Sequence, residues 1–156
     1  MGYTHYWNCR TFDETDENGY REALPIIRKI LEEHKDNIKN IEASEDVIAF
    51  DEIRECAETF VFEPGVADFK FCKTYREPYD LAVCKVLLVL NAYMPHLEIR
   101  SDGFFHEAEA DTQLDGTWDD AVEAVKKYGV KVTITKTEER RLRKRTMVQY
   151  EVKASL

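Results

Sequence analysis

Apolar residues alternate, cluster and recur along this chain in patterns that separate strands from helices. Residues 3–8 alternate, with Tyr3, His5 and Trp7 on one face and Thr4, Tyr6 and Asn8 on the other, so they predict a strand. Thr11-Phe12-Asp13-Glu14 has the form of a capping box, and Tyr20, Leu24, Ile27 and Leu31 follow at helical spacing as far as His34. Pro25 falls inside that run and predicts either a kink or a helix whose regular part begins beside it. Residues 47–50, 58–62 and 68–74 predict short strands, the last with Phe69 and Phe71 on one face and Lys70 and Cys72 on the other.

From Leu81 to Tyr93 the chain is apolar nearly all round, broken by Lys85 and Asn91, which predicts a helix buried on most sides. Residues 97–101 predict a strand, and Asp102-Gly103 predicts a hairpin turn with the chain returning antiparallel from Phe104. Thr117 predicts the cap of a third helix that Gly129 ends. Val130, Val132 and Ile134, and later Val148, Tyr150 and Val152, alternate as two final strands. The order gives an α+β class: mainly antiparallel sheet with about three helices, its first part arranged as a ferredoxin-like split unit and followed by a C-terminal helix and hairpin.

The length of 156 residues fits a single domain. A net charge of −9 repels phosphate over most of the surface and serves solubility. No stretch is long enough to span a bilayer: the longest apolar run covers only residues 86–90. Cys9, Cys56, Cys72 and Cys84 match neither a zinc pattern nor a CxxC pair, and the first residues do not form a signal peptide. Reduced thiols in a cytoplasm are the economical expectation.

Chemistry concentrates in few places. The face carrying Tyr3, His5 and Trp7 can line a pocket, with rings to stack a flat ligand and an imidazole to exchange a proton; the alternative is a sheet packed on the first helix. Cys72, Lys73 and Thr74 place a thiol, an ammonium and a hydroxyl at a strand end, although neighbours on a strand face opposite ways. Tyr79 and Asp80 open the buried helix, where Asp80 either satisfies free amides or faces Lys73 and His5. Glu107, Glu109 and Asp111 alternate as a hard-cation set would, but no second ligand cluster supports them, so neither a metal nor a cofactor is expected. Arg140, Arg141, Arg143, Lys144 and Arg145 place five of the 22 basic residues within six positions, at the tip of the last hairpin.

MGYTHYW at the start, Glu58-Thr59-Phe60, Phe71-Cys72-Lys73-Thr74, Pro78-Tyr79-Asp80-Leu81 and Ser101-Asp102-Gly103 occur in an order that resembles a family of small bacteriophage and bacterial proteins with no assigned biochemical activity. The likeness covers residues 1–128 in patches, while the basic hairpin of residues 129–156 falls outside it. It implies a phage or mobile-element origin and one shared pocket formed by Tyr3, Thr4, His5, Tyr6 and Trp7, by residues 71–74, and by Tyr79 and Asp80, with Ser101 and Asp102 at the edge. The leading expectation is a viral accessory protein in the host cytoplasm that binds a host macromolecule, for example a defence component. The alternative is a binder or hydrolase of a nucleotide-like ligand, using Tyr3, His5, Trp7, Lys73, Thr74, Tyr79, Asp80 and Asp102. Nucleic acid at the basic loop, and a homodimer, complete the partner expectations.

Overall fold

The computed structural model describes residues 2–107 and 113–156. Its elements are β1 (Thr4–Asn8), α1 (Glu14–Glu33), β2 (Ile38–Ala43), β3 (Ile48–Glu52), β4 (Phe60–Phe62), β5 (Lys70–Lys73), α2 (Asp80–Tyr93), β6 (Glu98–Ser101), β7 (Phe105–Glu107), α3 (Gly116–Val125), β8 (Lys131–Leu142) and β9 (Arg145–Ser155). They form an α+β fold with three antiparallel sheets ordered β5-β1-β6, β2-β3-β4 and β7-β9-β8.

The helix α2 is the centre of the molecule. Its apolar side chains from Ala82 to Leu90 are fully buried, and it packs against α1, α3, β6 and β9. The two polar residues that interrupt it have partners. Lys85 Nζ lies 2.8 Å from His34 Nε2, and Asn91 bridges the Leu97 carbonyl and the Ala154 amide at 2.8 and 2.7 Å. Asn91 thereby ties the base of β9 to the helix. Gly19 in α1 permits the closest helix approach, because a Cβ there would sit 1.8 Å from the Tyr93 carbonyl oxygen.

β5 and β6 both run antiparallel to β1, so they are parallel to each other, and α2 joins them across the intervening β1. This is one split β-α-β unit. The ferredoxin-like arrangement stops there, because α1 leads into the separate β2-β3-β4 sheet.

Local details differ from expectation for physical reasons. Asp13, not Thr11, caps α1: its carboxylate accepts from Thr15 and Asp16 amides, while Asp16 returns to the Asp13 amide. Pro25 does not break α1, which runs through it. β2 carries no alternating apolar pattern and contains Asn40 at φ 52° beside an irregular register. Asp102-Gly103 makes no hairpin. Ser101 Oγ caps a short 3₁₀ turn there, and the chain continues into β7, which pairs with β9 instead of β6. Asp115 caps α3 in place of Thr117. Of the alternating acids, Glu109 and Asp111 lie outside the described residues.

Candidate functional site

Alternation in β1 turns Tyr3, His5 and Trp7 to one face, and that face is the core side. His5 is fully buried. Its Nδ1 lies 2.7 Å from Ser101 Oγ, and its Nε2 lies 2.5 Å from Asp80 Oδ1. Thr74 Oγ1 donates to the same Asp80 oxygen at 2.6 Å, and Cys84 Sγ is 3.6 Å from His5 Nε2. Ser101 Oγ also accepts from the Gly103 amide at 3.0 Å and from Trp118 Nε1 at 2.8 Å.

Counting donors assigns the protons. Both lone pairs of Ser101 are taken, so its single O–H points to His5 Nδ1. The imidazole then carries its proton on Nε2 and donates it to Asp80. Asp80 opens α2, where the positive helix end favours a carboxylate. Its second oxygen, Oδ2, is buried with no hydrogen-bond partner among the described residues.

Serine, histidine and aspartate in sequence look like a nucleophilic relay. The serine oxygen here has no lone pair left to attack with, and Ser101 is only 6% exposed. What the cluster does is join β1, β6, the start of α2 and α3 in one buried polar network. Its donor atoms His5 Nε2, Asp80 carboxylate and Cys84 Sγ lie within 4.8 Å of one another. A cation there would need the nitrogen that the Ser101 hydrogen bonds leave protonated. Burial, with Asp80 next, also pushes the Cys84 thiol well above its ordinary range, away from the thiolate that binds metal. A second such group, Asp13, Asp16 and His96, is the α1 cap itself.

Around the network stands a shell of aromatic and charged groups. Tyr3 and Trp118 meet the His5 ring edge-on, both with ring centres at 5.1 Å. Gly103 sits against both, and a Cβ there would lie 2.2 Å from the Tyr3 hydroxyl and 2.5 Å from Trp118 Cδ1. Tyr75 and Arg76 form the turn between β5 and α2 with φ 52° and 58°, a left-handed conformation that side chains resist. The turn lays the Arg76 guanidinium 3.9 Å over the Tyr3 ring and pairs it with Asp115. Burial holds the Asp115 carboxyl up, but Arg76 and the Thr117 amide outweigh that and leave it below the usual carboxylate range.

Among the described residues, those expected to share one pocket are divided between the core and the outer face of the sheet. Trp7 packs on Phe60 and Phe62, away from the histidine. Lys73 pairs across from Thr4, on the outer face, with its ammonium 6.0 Å from the Phe71 ring. Adjacent strand residues face opposite ways, so Cys72 points in and Lys73 points out. Tyr79 is buried, and its hydroxyl donates to the Glu58 carbonyl at 2.6 Å. Asp102 lies on the outer side, where it accepts from the Thr4 amide at 3.0 Å and from the Tyr6 hydroxyl at 3.4 Å. His5, Thr74 and Asp80 do come together, joined by Ser101, Cys84 and Trp118. Cys84 lies one helical turn beyond Asp80, which was the one available signal for it; nothing in the sequence points to Trp118.

Among the described residues, two hollows larger than a water site stand out. One of about 350 Å³ runs between β6 and β9, lined by Leu97, Ile99, Arg100, Phe104 and Tyr150. The other, of about 560 Å³, is an open cleft beside Arg76, Asp102, Gly103, His106 and Asp115. Neither is lined by His5, Lys73, Thr74, Tyr79 or Asp80.

No family model, curated protein or solved structure matches the chain.

The basic residues lie at the opposite extreme of exposure. β8 and β9 run as a twelve- and an eleven-residue strand joined by Arg143-Lys144. Every residue from 135 to 145 is exposed, on both faces of the ribbon. Arg140 pairs with Glu138 at 3.2 Å and Arg145 with Glu107 at 3.3 Å. No helix among the described residues is long and apolar enough to cross a membrane.

Proposed function

We propose that this protein is a viral accessory protein that acts by binding a host macromolecule, with a host-defence component as the class of partner. The observation that carries the reading is the β8–β9 arm: Arg140, Arg141, Arg143, Lys144 and Arg145 are all exposed at its end in a chain of net charge −9. A concentrated basic tip on an acidic body attracts an acidic surface and keeps the remainder of the molecule away from it. The resemblance of its motifs to those of small bacteriophage and bacterial proteins supports the viral origin. The burial of the His5 network supports a binding role over the nucleotide-pocket alternative.

Capture from a nuclease-treated bacterial host lysate, with the full chain as bait at physiological salt, tests the proposal. A specific protein partner is the expected result. Recovery of no partner overturns it. Nucleic acid is the second reading, favoured by the same five charges. It predicts that untreated lysate gives a capture which nuclease abolishes and which falls steeply with salt.

A further inference from the structure

The sheet β5-β1-β6 packs α2 with one face and leaves an aromatic surface on the other. Phe69 is 59% and Phe71 50% exposed. Tyr6, on the central strand, stacks on Phe69 with ring centres at 5.6 Å and planes at 26°, and Phe69 lies 6.3 Å from Phe71. Two exposed rings beside a half-buried third, contiguous on one face of a sheet, mark a docking surface.

Its charges identify the occupant. Across the sheet, Lys73 and Asp102 flank Thr4, Phe71 and Arg100 flank Tyr6, and Glu98 lies opposite Asn8. The β5 edge therefore carries a cation and aromatic rings, and the β6 edge carries carboxylates and a guanidinium. We propose that this face binds a second copy of the same chain about a twofold axis parallel to β1. That rotation exchanges the two edges. It sets Lys73 against the partner's Asp102, Phe71 against the partner's Arg100, and Tyr6 against the partner's Tyr6. The twofold repeats both unlike contacts, giving two ion pairs and two guanidinium–aromatic contacts. A twofold perpendicular to the strands would instead set Asp102 against the partner's Glu98, two like charges. The sheet is three short strands wide, so the interface falls in the small class of transient contacts. This inference is independent of the basic arm.

Sedimentation equilibrium of the full chain, from low micromolar to several hundred micromolar, tests it. The expected result is a monomer–dimer equilibrium. Phe71→Arg sets arginine against arginine and weakens association at least tenfold. The double variant F71R/R100F restores the arginine–aromatic contact and the association with it. Both positions are exposed, and an unchanged thermal midpoint for each variant verifies the fold. A monomer at every concentration overturns the proposal, and so does a dimer that F71R leaves as strong as before.

Discussion

The start of α2 and the end of the β8–β9 arm hold most of this protein's polar chemistry, and they treat it in opposite ways. At the helix, His5, Thr74, Asp80 and Ser101 are withdrawn from water and hydrogen-bond to one another. At the arm, five cations stand in solvent with only sparse pairing. Buried polar groups contribute by being satisfied, and their loss is felt as instability. Exposed charges contribute little to folding and act on what approaches. The difference gives the first region an architectural part and supports the proposal that the second serves recognition.

The strongest way to break this contrast is Asp80→Ala. It leaves the buried His5 Nε2 and Thr74 donors without their acceptor, and the expected loss is about 1–3 kcal/mol for each of the two in chemical denaturation. A loss under 1 kcal/mol would mean that the network does not hold the fold. Gly19→Ala comes next. Its Cβ cannot coexist with the Tyr93 carbonyl oxygen, so α1 must shift from α2 at a cost of about 1–3 kcal/mol, read as a lower thermal midpoint.

A third, smaller effect sharpens the comparison through pH. His96 Nδ1 lies 2.7 Å from Asp16 Oδ2. The bond to Asp16 raises the His96 pKa, so its contribution is complete below about pH 6.5 and is lost as pH rises through the folded-state value. Burial pulls the Asp16 carboxyl up, but the His96 amide, the His96 ring and the Asp13 amide outweigh it. The carboxyl ends below its ordinary range, and its contribution is lost only as pH falls through that lowered value. The stability difference between wild type and His96→Ala is therefore expected to be largest between about pH 4 and 6.5 and to shrink towards pH 8. A difference that grows with pH would contradict the assignment. The smallest effect belongs to the arm: changing its five basic residues to serine should move stability by no more than about 0.5 kcal/mol.

Much of the fold was legible because local pattern and final environment agree. The all-round apolar run of residues 81–93 could only be a central helix, and the face alternation of β1 and β5 held. β2 was not legible: Ile38 is its sole fully buried side chain, and Asn40 takes a left-handed conformation, so no period marks it. Asp102-Gly103 misled because turn residues serve a serine-capped 3₁₀ turn as well as a hairpin. β7 pairs with β9 about 40 residues away, a non-local contact that no window of sequence contains.

The candidate site was legible in membership more than in character. His5, Thr74 and Asp80 meet, but alternation says only which residues share a face. It does not say whether that face meets a hollow or a helix, and Tyr3, His5 and Trp7 suit either. Lys73 was separated from them by the parity of the strand alone. The partners that close the site, Ser101 and Trp118, come from β6 and α3, far along the chain.

The contrast between core and arm is tested most directly by capture from host lysate with two variants side by side, each normalised to its folded fraction. With the five arm residues changed to serine the partner should be lost while stability is kept. With Ser101→Ala, stability should fall while the folded fraction still captures the partner. Capture that survives the arm variant and disappears with Ser101→Ala would contradict the account.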